Sequence, residues 1–91
     1  MRSLGKNRTD RNGFKQGYWE FYWSNGNLQY KGLYKNNKEV GEWKYYYRNG
    51  NLDCKGSYKD GLNDGIWEWY NRDGILTGKS LYENGDFIRG L

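Results

Sequence analysis

The residues that could carry out chemistry are few, and their spacing does not build a catalytic centre. The 91-residue sequence has no histidine and one cysteine, Cys54. Without an imidazole there is no general base for a serine or cysteine nucleophile and no histidine ligand for a metal. A lone thiol forms neither an internal disulfide nor a cysteine-rich zinc site. We therefore expect a protein that is not an enzyme and that uses no cofactor or metal.

Four aspartates are the remaining candidates for acid–base chemistry. Asp53, Asp60, Asp64 and Asp73 all lie in or beside segments rich in glycine and asparagine. Glycosidases pair two carboxyl groups and raise the pKa of one of them in an apolar pocket, which nothing around these residues predicts. Residues 60–65 alternate acidic and amide side chains with glycine, but the glutamate that completes a calcium loop is missing. We interpret the four aspartates as residues that lie in or beside turns.

Aromatic residues dominate the apolar content of the chain, which has 3 Phe, 5 Trp and 10 Tyr. The mean hydropathy of −1.24 is typical of disordered chains, yet such chains are poor in aromatic residues. The length and this aromatic content predict one small folded domain. The net charge of +4 is spread along the sequence, which gives only a mild attraction to acidic partners.

The first 13 residues contain four basic side chains but no apolar run. A secretory signal needs an apolar stretch after its basic residues, and a membrane span needs a longer one. We therefore expect a cytoplasmic protein.

A 24-residue repeat organises the chain. The tryptophans Trp19, Trp43 and Trp67 are spaced by 24 residues, and so are glycine, tyrosine, leucine and lysine positions around them. Such a period indicates a repeat architecture in which each copy packs against its neighbours. Three copies fall near residues 17–40, 41–64 and 65–88, and together they predict a domain over 17–91. Residues 1–16 are then a basic N-terminal arm or a partial repeat.

Each copy contains two turn signals, about twelve residues apart. The first is Asn25-Gly26 and its equivalents, and the second is Asn36-Asn37 and its equivalents. Such dipeptides favour type I′ hairpin turns, whose two central residues have positive φ. The strands between them are near residues 17–23, 28–34, 40–47, 52–58, 65–71 and 76–82. The sequence therefore predicts an all-β fold: a single-layer, curved antiparallel meander of about six strands.

A two-residue turn at Asn25-Gly26 sets the register of the first hairpin. It places Trp23 opposite Leu28, and Trp19 opposite Gly32; in the later copies Trp43 faces Gly56 and Trp67 faces Ser80. We expect each indole ring to lie flat over the small residue across from it. On the other face the same register pairs Glu20 with Lys31 and Glu68 with Lys79, as ion pairs, and Lys44 with Lys55. The side with the tryptophans is nearly continuous aromatic surface, which the curvature of the sheet, the N-terminal arm or another chain must cover.

The pattern G-x-W-x-x-Y-x-x-N-G-x-L-x-x-K-G-x-Y-x-x-G, which runs from Gly41 to Gly61, resembles the MORN-repeat variant of YwqK-family antitoxin-like proteins. The third copy departs from it, since Ser80 stands where Gly32 and Gly56 stand. The resemblance implies a sheet of repeated hairpins that serves as a binding platform without catalytic residues. It also implies neutralisation of a partner protein.

Positions that vary between the copies are the candidates for partner binding, because positions common to all copies are explained by the shared architecture. Large aromatic rings with a polar tip are concentrated at the centres of protein interfaces. The predicted partner-binding residues are Phe21, Trp23, Tyr30, Lys44, Tyr45, Tyr47 and Trp69.

The leading hypothesis is therefore a non-catalytic binding protein, antitoxin-like or inhibitor-like, whose aromatic sheet face masks a toxin or another macromolecular machine. The alternatives are a sheet that binds membrane lipid or nucleic acid, or a homo-oligomeric scaffold. Acidic residues interleaved with the basic ones argue against nucleic acid, because they interrupt any continuous track for phosphates.

Overall fold

Asparagine and glycine turns divide the chain into eight strands. In the computed structural model, which describes residues 6–91, these strands form one open antiparallel sheet in the order in which they follow in sequence. They are β1 (Arg8–Thr9), β2 (Lys15–Tyr22), β3 (Leu28–Lys35), β4 (Lys38–Tyr46), β5 (Leu52–Lys59), β6 (Leu62–Tyr70), β7 (Leu76–Glu83) and β8 (Asp86–Gly90). The predicted all-β meander is confirmed, with eight strands rather than six. The two additional strands, β1 and β8, flank the three copies of the repeat.

The second turn of each copy has the predicted type I′ conformation. Asn36 and Asn37 have φ angles of 51° and 70°, and the pairs at residues 60–61 and 84–85 also have positive φ at both positions. The first turn is different, and the prediction of a type I′ turn there is wrong. In the first copy only Gly26 has positive φ, and its N–H bonds to the carbonyl of Trp23. This is a three-residue loop, a type I turn followed by a left-handed glycine.

The longer loop shifts the register next to the turn, so the predicted pairing of Trp23 with Leu28 is also wrong. Trp23 lies opposite Asn27, with which it shares a backbone hydrogen bond of 2.7 Å, and Leu28 pairs with Tyr22. A β-bulge at Gln29 then adds one residue to β3. The bulge restores the predicted register further along, where Trp19 pairs with Gly32 as expected. Asp53 and Thr77 are the equivalent bulge residues of the other copies.

The core is built from the repeat tryptophans, of which Trp43 is 1% and Trp67 is 2% exposed. The expected pairings of Trp43 with Gly56 and of Trp67 with Ser80 are confirmed. The rings, however, do not lie over these partners. The Trp43 ring covers Gly32 on the strand before it, and the Trp67 ring covers Gly56. Trp43 and Trp67 therefore each pack on the glycine of the preceding copy, and this part of the core forms at the junctions between copies.

A bulge in the strand that carries each tryptophan allows this packing. Between β3 and β4 the register shifts by two residues beside Gly32, and Gly41 in the bulge has a φ of 70°, which favours glycine. The Trp43 indole N–H donates to the carbonyl of Leu33 at 3.1 Å. Trp67 makes the same bond to Ser57 at 3.2 Å. In both copies the indole N–H thus donates to a main-chain carbonyl beside the bulge.

The segment before β2 occupies the position of a preceding strand. Arg8 pairs with Gln16, and its carbonyl accepts the Trp19 indole N–H at 3.2 Å. The Asn7 side chain continues the ladder, because its amide donates to the Glu20 carbonyl at 2.9 Å and accepts the Glu20 N–H at 2.8 Å. Residues 7–9 therefore cover the open side of the first copy. Residues 6–91 include no helix capable of spanning a membrane.

Candidate binding surfaces

The aromatic face is the side of the sheet on which the repeat tryptophans lie. Its side chains alternate along the strands with those of the opposite side. It comprises Trp19, Phe21, Tyr30, Tyr34, Trp43, Tyr45, Tyr58, Trp67, Trp69, Tyr82 and Phe87. Of these rings, the three repeat tryptophans are buried, seven are half-buried, and Phe87, whose ring lies 5.8 Å from that of Tyr82, is exposed. The aromatic face therefore presents a surface of partly exposed rings to solvent.

Four of the predicted partner-binding residues lie together on this face, in a row across the strands. Phe21 stacks on Tyr30 with ring centroids 4.5 Å apart, and Tyr30 contacts Tyr45 at 5.6 Å. Tyr45 in turn lies 6.3 Å from Trp67, on which Trp69 stacks at 6.0 Å. We call Phe21, Tyr30, Tyr45 and Trp69 the aromatic row.

Hydrogen bonds hold the polar atoms of two rings in this row, Tyr45 and Trp69. The hydroxyl oxygens of Tyr45 and Tyr58 are 2.8 Å apart, and the Trp69 indole N–H donates to Ser80 Oγ at 3.0 Å. Burial, reinforced by the bond to Tyr58, raises the pKa of the Tyr45 hydroxyl well above its usual range. Tyr45 is therefore a neutral hydrogen-bonding group at physiological pH.

Trp23 and Tyr47, the next two predicted residues, lie at the edge formed by the first turns. The Trp23 indole N–H donates to the Tyr46 carbonyl at 3.1 Å, and the Tyr47 hydroxyl donates to the Tyr70 carbonyl at 2.6 Å. They line a cleft of about 400 Å³ together with Tyr46, Arg48, Asn49, Asp53 and Arg72. The guanidinium of Arg48 lies 5.5 Å from the centre of the Trp23 ring, a cation–π contact.

The charged face is the opposite side of the sheet, and it carries the last predicted residue, Lys44. It comprises Tyr18, Glu20, Tyr22, Lys31, Glu42, Lys44, Tyr46, Lys55, Glu68, Tyr70 and Lys79. Lys44 lies 3.8 Å from Glu42, and Glu68 lies 3.5 Å from Lys55 and 3.6 Å from Lys79. The expected ion pair between Glu68 and Lys79 is thus confirmed. In the strand register, Lys44 lies opposite Lys55, as predicted.

Glu20 has a different partner from the one expected. It faces Lys31 in the register, but its carboxylate pairs with Lys6 at 2.6 Å and accepts the hydroxyls of Tyr18 and Tyr22. The hydrogen bonds from Lys6, Tyr18 and Tyr22 lower the pKa of Glu20 to about 2. The predicted ion pair with Lys31 does not form, because the N-terminal segment supplies a closer cation.

The single thiol is unsuited to nucleophilic chemistry. Cys54 is 9% exposed, and burial, together with the neighbouring charge of Asp53, raises its pKa to about 12. The thiolate, which is the reactive form, is therefore scarce at neutral pH. Among residues 6–91, no three histidine, cysteine or acidic side chains group as metal ligands would.

The three hairpins match one family model. The model, described as a MORN repeat variant, matches residues 15–36, 39–60 and 63–84, which is well over half of the chain. The chain belongs to the MORN repeat variant family. MORN repeats are generally non-enzymatic modules, and they often bind other molecules. No curated protein and no solved structure matches this MORN protein.

The MORN sheet divides the predicted site among three surfaces. Phe21, Tyr30, Tyr45 and Trp69 form one row, whereas Trp23 and Tyr47 lie at the first-turn edge and Lys44 lies on the charged face. The row arises because the alternate strands β2, β4 and β6 carry Phe21, Tyr45 and Trp69 at one repeat position, and Tyr30 on β3 pairs with both Phe21 and Tyr45.

The first-turn cleft of this MORN protein contains residues that sequence analysis did not select. Arg48 and Arg72 occupy equivalent positions in the second and third copies, where the first copy has Ser24. That spacing was a signal for them, because a cationic residue repeated at a turn projects from one edge of a meander. Asp53 carried no such signal, since only the bulge places it in the cleft.

Proposed function

We propose that this MORN protein is a non-catalytic protein-binding module of the antitoxin or inhibitor type, which masks a partner protein with its aromatic face. The observation that carries the proposal is the aromatic row. Its four rings are half-buried, contact one another or the core, and have no second layer over them in the part of the chain that the structure describes.

Rigidity makes this row suited to binding. A flexible side chain loses rotamer freedom when it is immobilised in an interface, at a cost of about 0.5–1.5 kcal/mol each. Stacking and the hydrogen bonds at Tyr45 and Trp69 already hold the rings in place. Tyrosine and tryptophan are also the residue types that contribute most at interface centres.

The antitoxin assignment rests on the repeat pattern from Gly41 to Gly61, which resembles that of YwqK-type proteins. It agrees with the chemistry of the chain, because a protonated Cys54 and the lack of histidine favour binding over catalysis. We further propose that the protein acts in the cytoplasm, where the partner is a toxin or another macromolecular machine.

The experiment compares the capture of partners by three forms of the full chain from extracts of the native host. The test variant replaces Tyr45 and Trp69 with alanine, and the matched control replaces Phe14 and Tyr22, which are 45% and 49% exposed and lie outside the row. We expect the test variant to lose a protein that the wild type and the control retain. Far-UV circular dichroism establishes that both variants are folded.

A milder variant protects the test against unfolding. Phe21 and Tyr45 occupy the Trp69 position in the other copies, so Trp69→Tyr keeps a side chain that the sheet accommodates. Weaker capture by this variant would support the proposal. Unchanged capture by a folded Tyr45/Trp69 double variant would exclude the aromatic face as the binding surface.

A further inference from the structure

Three lysines lie side by side across the centre of the charged face. Lys31 on β3 pairs with Lys44 on β4, which pairs with Lys55 on β5. The first and third copies have Glu20 and Glu68 at the position of Lys44. Lysine in the central copy therefore joins two separate cations into one row, which we call the lysine row.

Carboxylates on the charged face neutralise this row only in part. Glu20 is bound by Lys6, and in residues 6–91 no carboxylate oxygen lies within ion-pair distance of Lys31, whose ammonium group is 6.0 Å from the centre of the Tyr46 ring. Lys44 Nζ lies 3.8 Å from Glu42 Oε1, but the Glu42 side chain is 57% exposed, so water weakens this ion pair. Lys55 shares Glu68 with Lys79.

The row is unfavourable for the isolated sheet, because like charges directly opposite each other on neighbouring strands repel. A glutamate at position 44 would relieve the repulsion and would repeat the sequence of the other two copies. A bound anion would also relieve the repulsion between the lysines, and this relief would favour its binding.

A shallow hollow beside the row can receive such an anion. It has a volume of about 290 Å³ and is lined by Lys31, Lys44, Tyr18, Leu33, Glu42 and the backbone at Gly32. Tyr18 and Leu33 are 37% and 46% exposed, respectively. Exposed apolar surface next to two ammonium groups suits a carboxylate on a short aliphatic stem, which is the side chain of glutamate or aspartate.

We propose that the lysine row binds an acidic segment of a partner protein, with two or three carboxylates placed over Lys31, Lys44 and Lys55. This inference rests on the proposed function, because it assumes that the ligand of the module is a protein. The lysine row spans two strand spacings, about 10 Å. Alternate side chains of an extended segment are about 7 Å apart, so two such carboxylates fit within the length of the row. Glu20 and Glu68 bound it on either side, so a longer polyanion such as a nucleic acid meets carboxylates at both ends.

The direct test uses a blocked ten-residue peptide in which glutamate alternates with threonine, and a second peptide with glutamine in place of glutamate. Titration of the full chain is followed by backbone amide chemical shifts. We expect the acidic peptide to shift the amides around Lys31, Lys44 and Lys55, and the glutamine peptide to leave them unchanged. Raising the salt from about 0.05 M to about 0.5 M should weaken the binding, since ionic contacts are screened.

Lys44→Glu is the informative variant, because it restores the residue that the other two copies have at this position. We expect it to weaken binding of the acidic peptide by about tenfold or more. Lys59→Glu is the matched control: it changes the net charge equally, at an exposed position about 13 Å along β5 from Lys55. The control should bind within about twofold of the wild type.

Three results would overturn the proposal. They are equal binding by Lys44→Glu and the wild type, equal binding of the two peptides, and a clear preference for phosphatidylserine vesicles or single-stranded DNA over the acidic peptide. Capture of the native partner separates this proposal from the proposed function. A partner lost by the Tyr45/Trp69 double variant but retained by Lys44→Glu would refute the lysine row alone. A partner retained by the Tyr45/Trp69 double variant but lost by Lys44→Glu would refute the masking role of the aromatic face alone.

Discussion

At the scale of single residues, the contact between an indole ring and a glycine determines the packing. The Trp43 ring lies directly on the backbone of Gly32, and the Trp67 ring lies on Gly56 in the same way. The third copy has Ser80 at this position, and no tryptophan follows it in residues 81–91. A hydroxyl therefore stands where the earlier copies have no side chain, and its oxygen accepts the Trp69 N–H.

We expect Gly32→Ala to destabilise the protein by about 3 kcal/mol, since overpacking of a core typically costs about 1–3 kcal/mol and this contact is severe. A Cβ at Gly32 would overlap the Cγ, Cδ2 and Cε2 atoms of Trp43. Gly78→Ala is the matched control, because nothing lies within 4 Å of a Cβ built there. Urea denaturation measures both variants. Equal losses would mean that the ring does not rest on Gly32.

The low pKa of Glu20 predicts that the folded protein loses stability as the pH falls. Its pKa is about 2 in the folded protein, against an ordinary value of 4.5, so the unfolded chain takes up this proton first as the pH falls. The stability that Glu20 contributes is therefore complete above pH 4.5 and is lost as the pH falls toward 2.

We expect Glu20→Gln to flatten the decline of the melting temperature over this pH range. Thermal unfolding at a series of pH values measures the effect. Glu83→Gln is the control, since Glu83 is exposed and lies within ion-pair distance of no basic group in the part of the chain described. A Glu20→Gln profile that runs parallel to the wild type would contradict the prediction.

At the scale of strands and turns, β1 is held to β2 partly by a side chain that takes the place of a main-chain partner. The Asn7 amide makes two hydrogen bonds with the backbone of Glu20. We expect Asn7→Ala to speed hydrogen exchange of the Glu20 amide and to loosen β1, because both bonds are lost at once. Asn12→Ala, at an exposed position outside the strands, should leave that amide protected. Native-state hydrogen exchange distinguishes the two results.

The strands of the three copies could be predicted from the sequence, but not the form of every turn. Asn36-Asn37 and Asn25-Gly26 look alike as dipeptides, yet only the former has two left-handed residues. The longer loop at Gly26 is accompanied by a bulge at Gln29, which compensates it. The equivalent bulge residues are Gln29, Asp53 and Thr77, three different residue types, so sequence reasoning predicted the right register in the middle of the hairpin and the wrong one beside the turn.

At the scale of the whole molecule, the repeats should behave as exchangeable units. Deleting residues 41–64 joins Val40 to Gly65 and places Trp67 over Gly32, which repeats the native contact. We expect a folded, less stable protein whose urea m-value falls by about a quarter, in proportion to the surface exposed on unfolding. Circular dichroism of the shortened chain checks this. Loss of cooperative unfolding would show that the copies are not equivalent.

The grouping of the binding residues was less predictable than the fold. The period placed Phe21, Tyr45 and Trp69 at one repeat position, and the meander does bring them into one row. Sequence reasoning placed Trp23 and Tyr47 on the aromatic face, but the first-turn loop carries them to the first-turn edge. It placed Lys44 on the opposite face, which is where the side chain lies. It also paired Glu20 with Lys31, because the contribution of Lys6 depends on the position of a segment outside the repeats.

The unequal burial of the five indoles gives the molecule an intrinsic optical probe. Trp19, Trp43 and Trp67 are sealed from water, whereas Trp69 stands in the aromatic row and Trp23 at the first-turn cleft. A quencher such as acrylamide therefore reaches chiefly the latter two. A partner seated on the aromatic row shields Trp69 and shifts its emission to shorter wavelength, while one seated on the lysine row leaves the spectrum almost unchanged. The fluorescence of the unlabelled protein thus reports which side of the sheet is occupied.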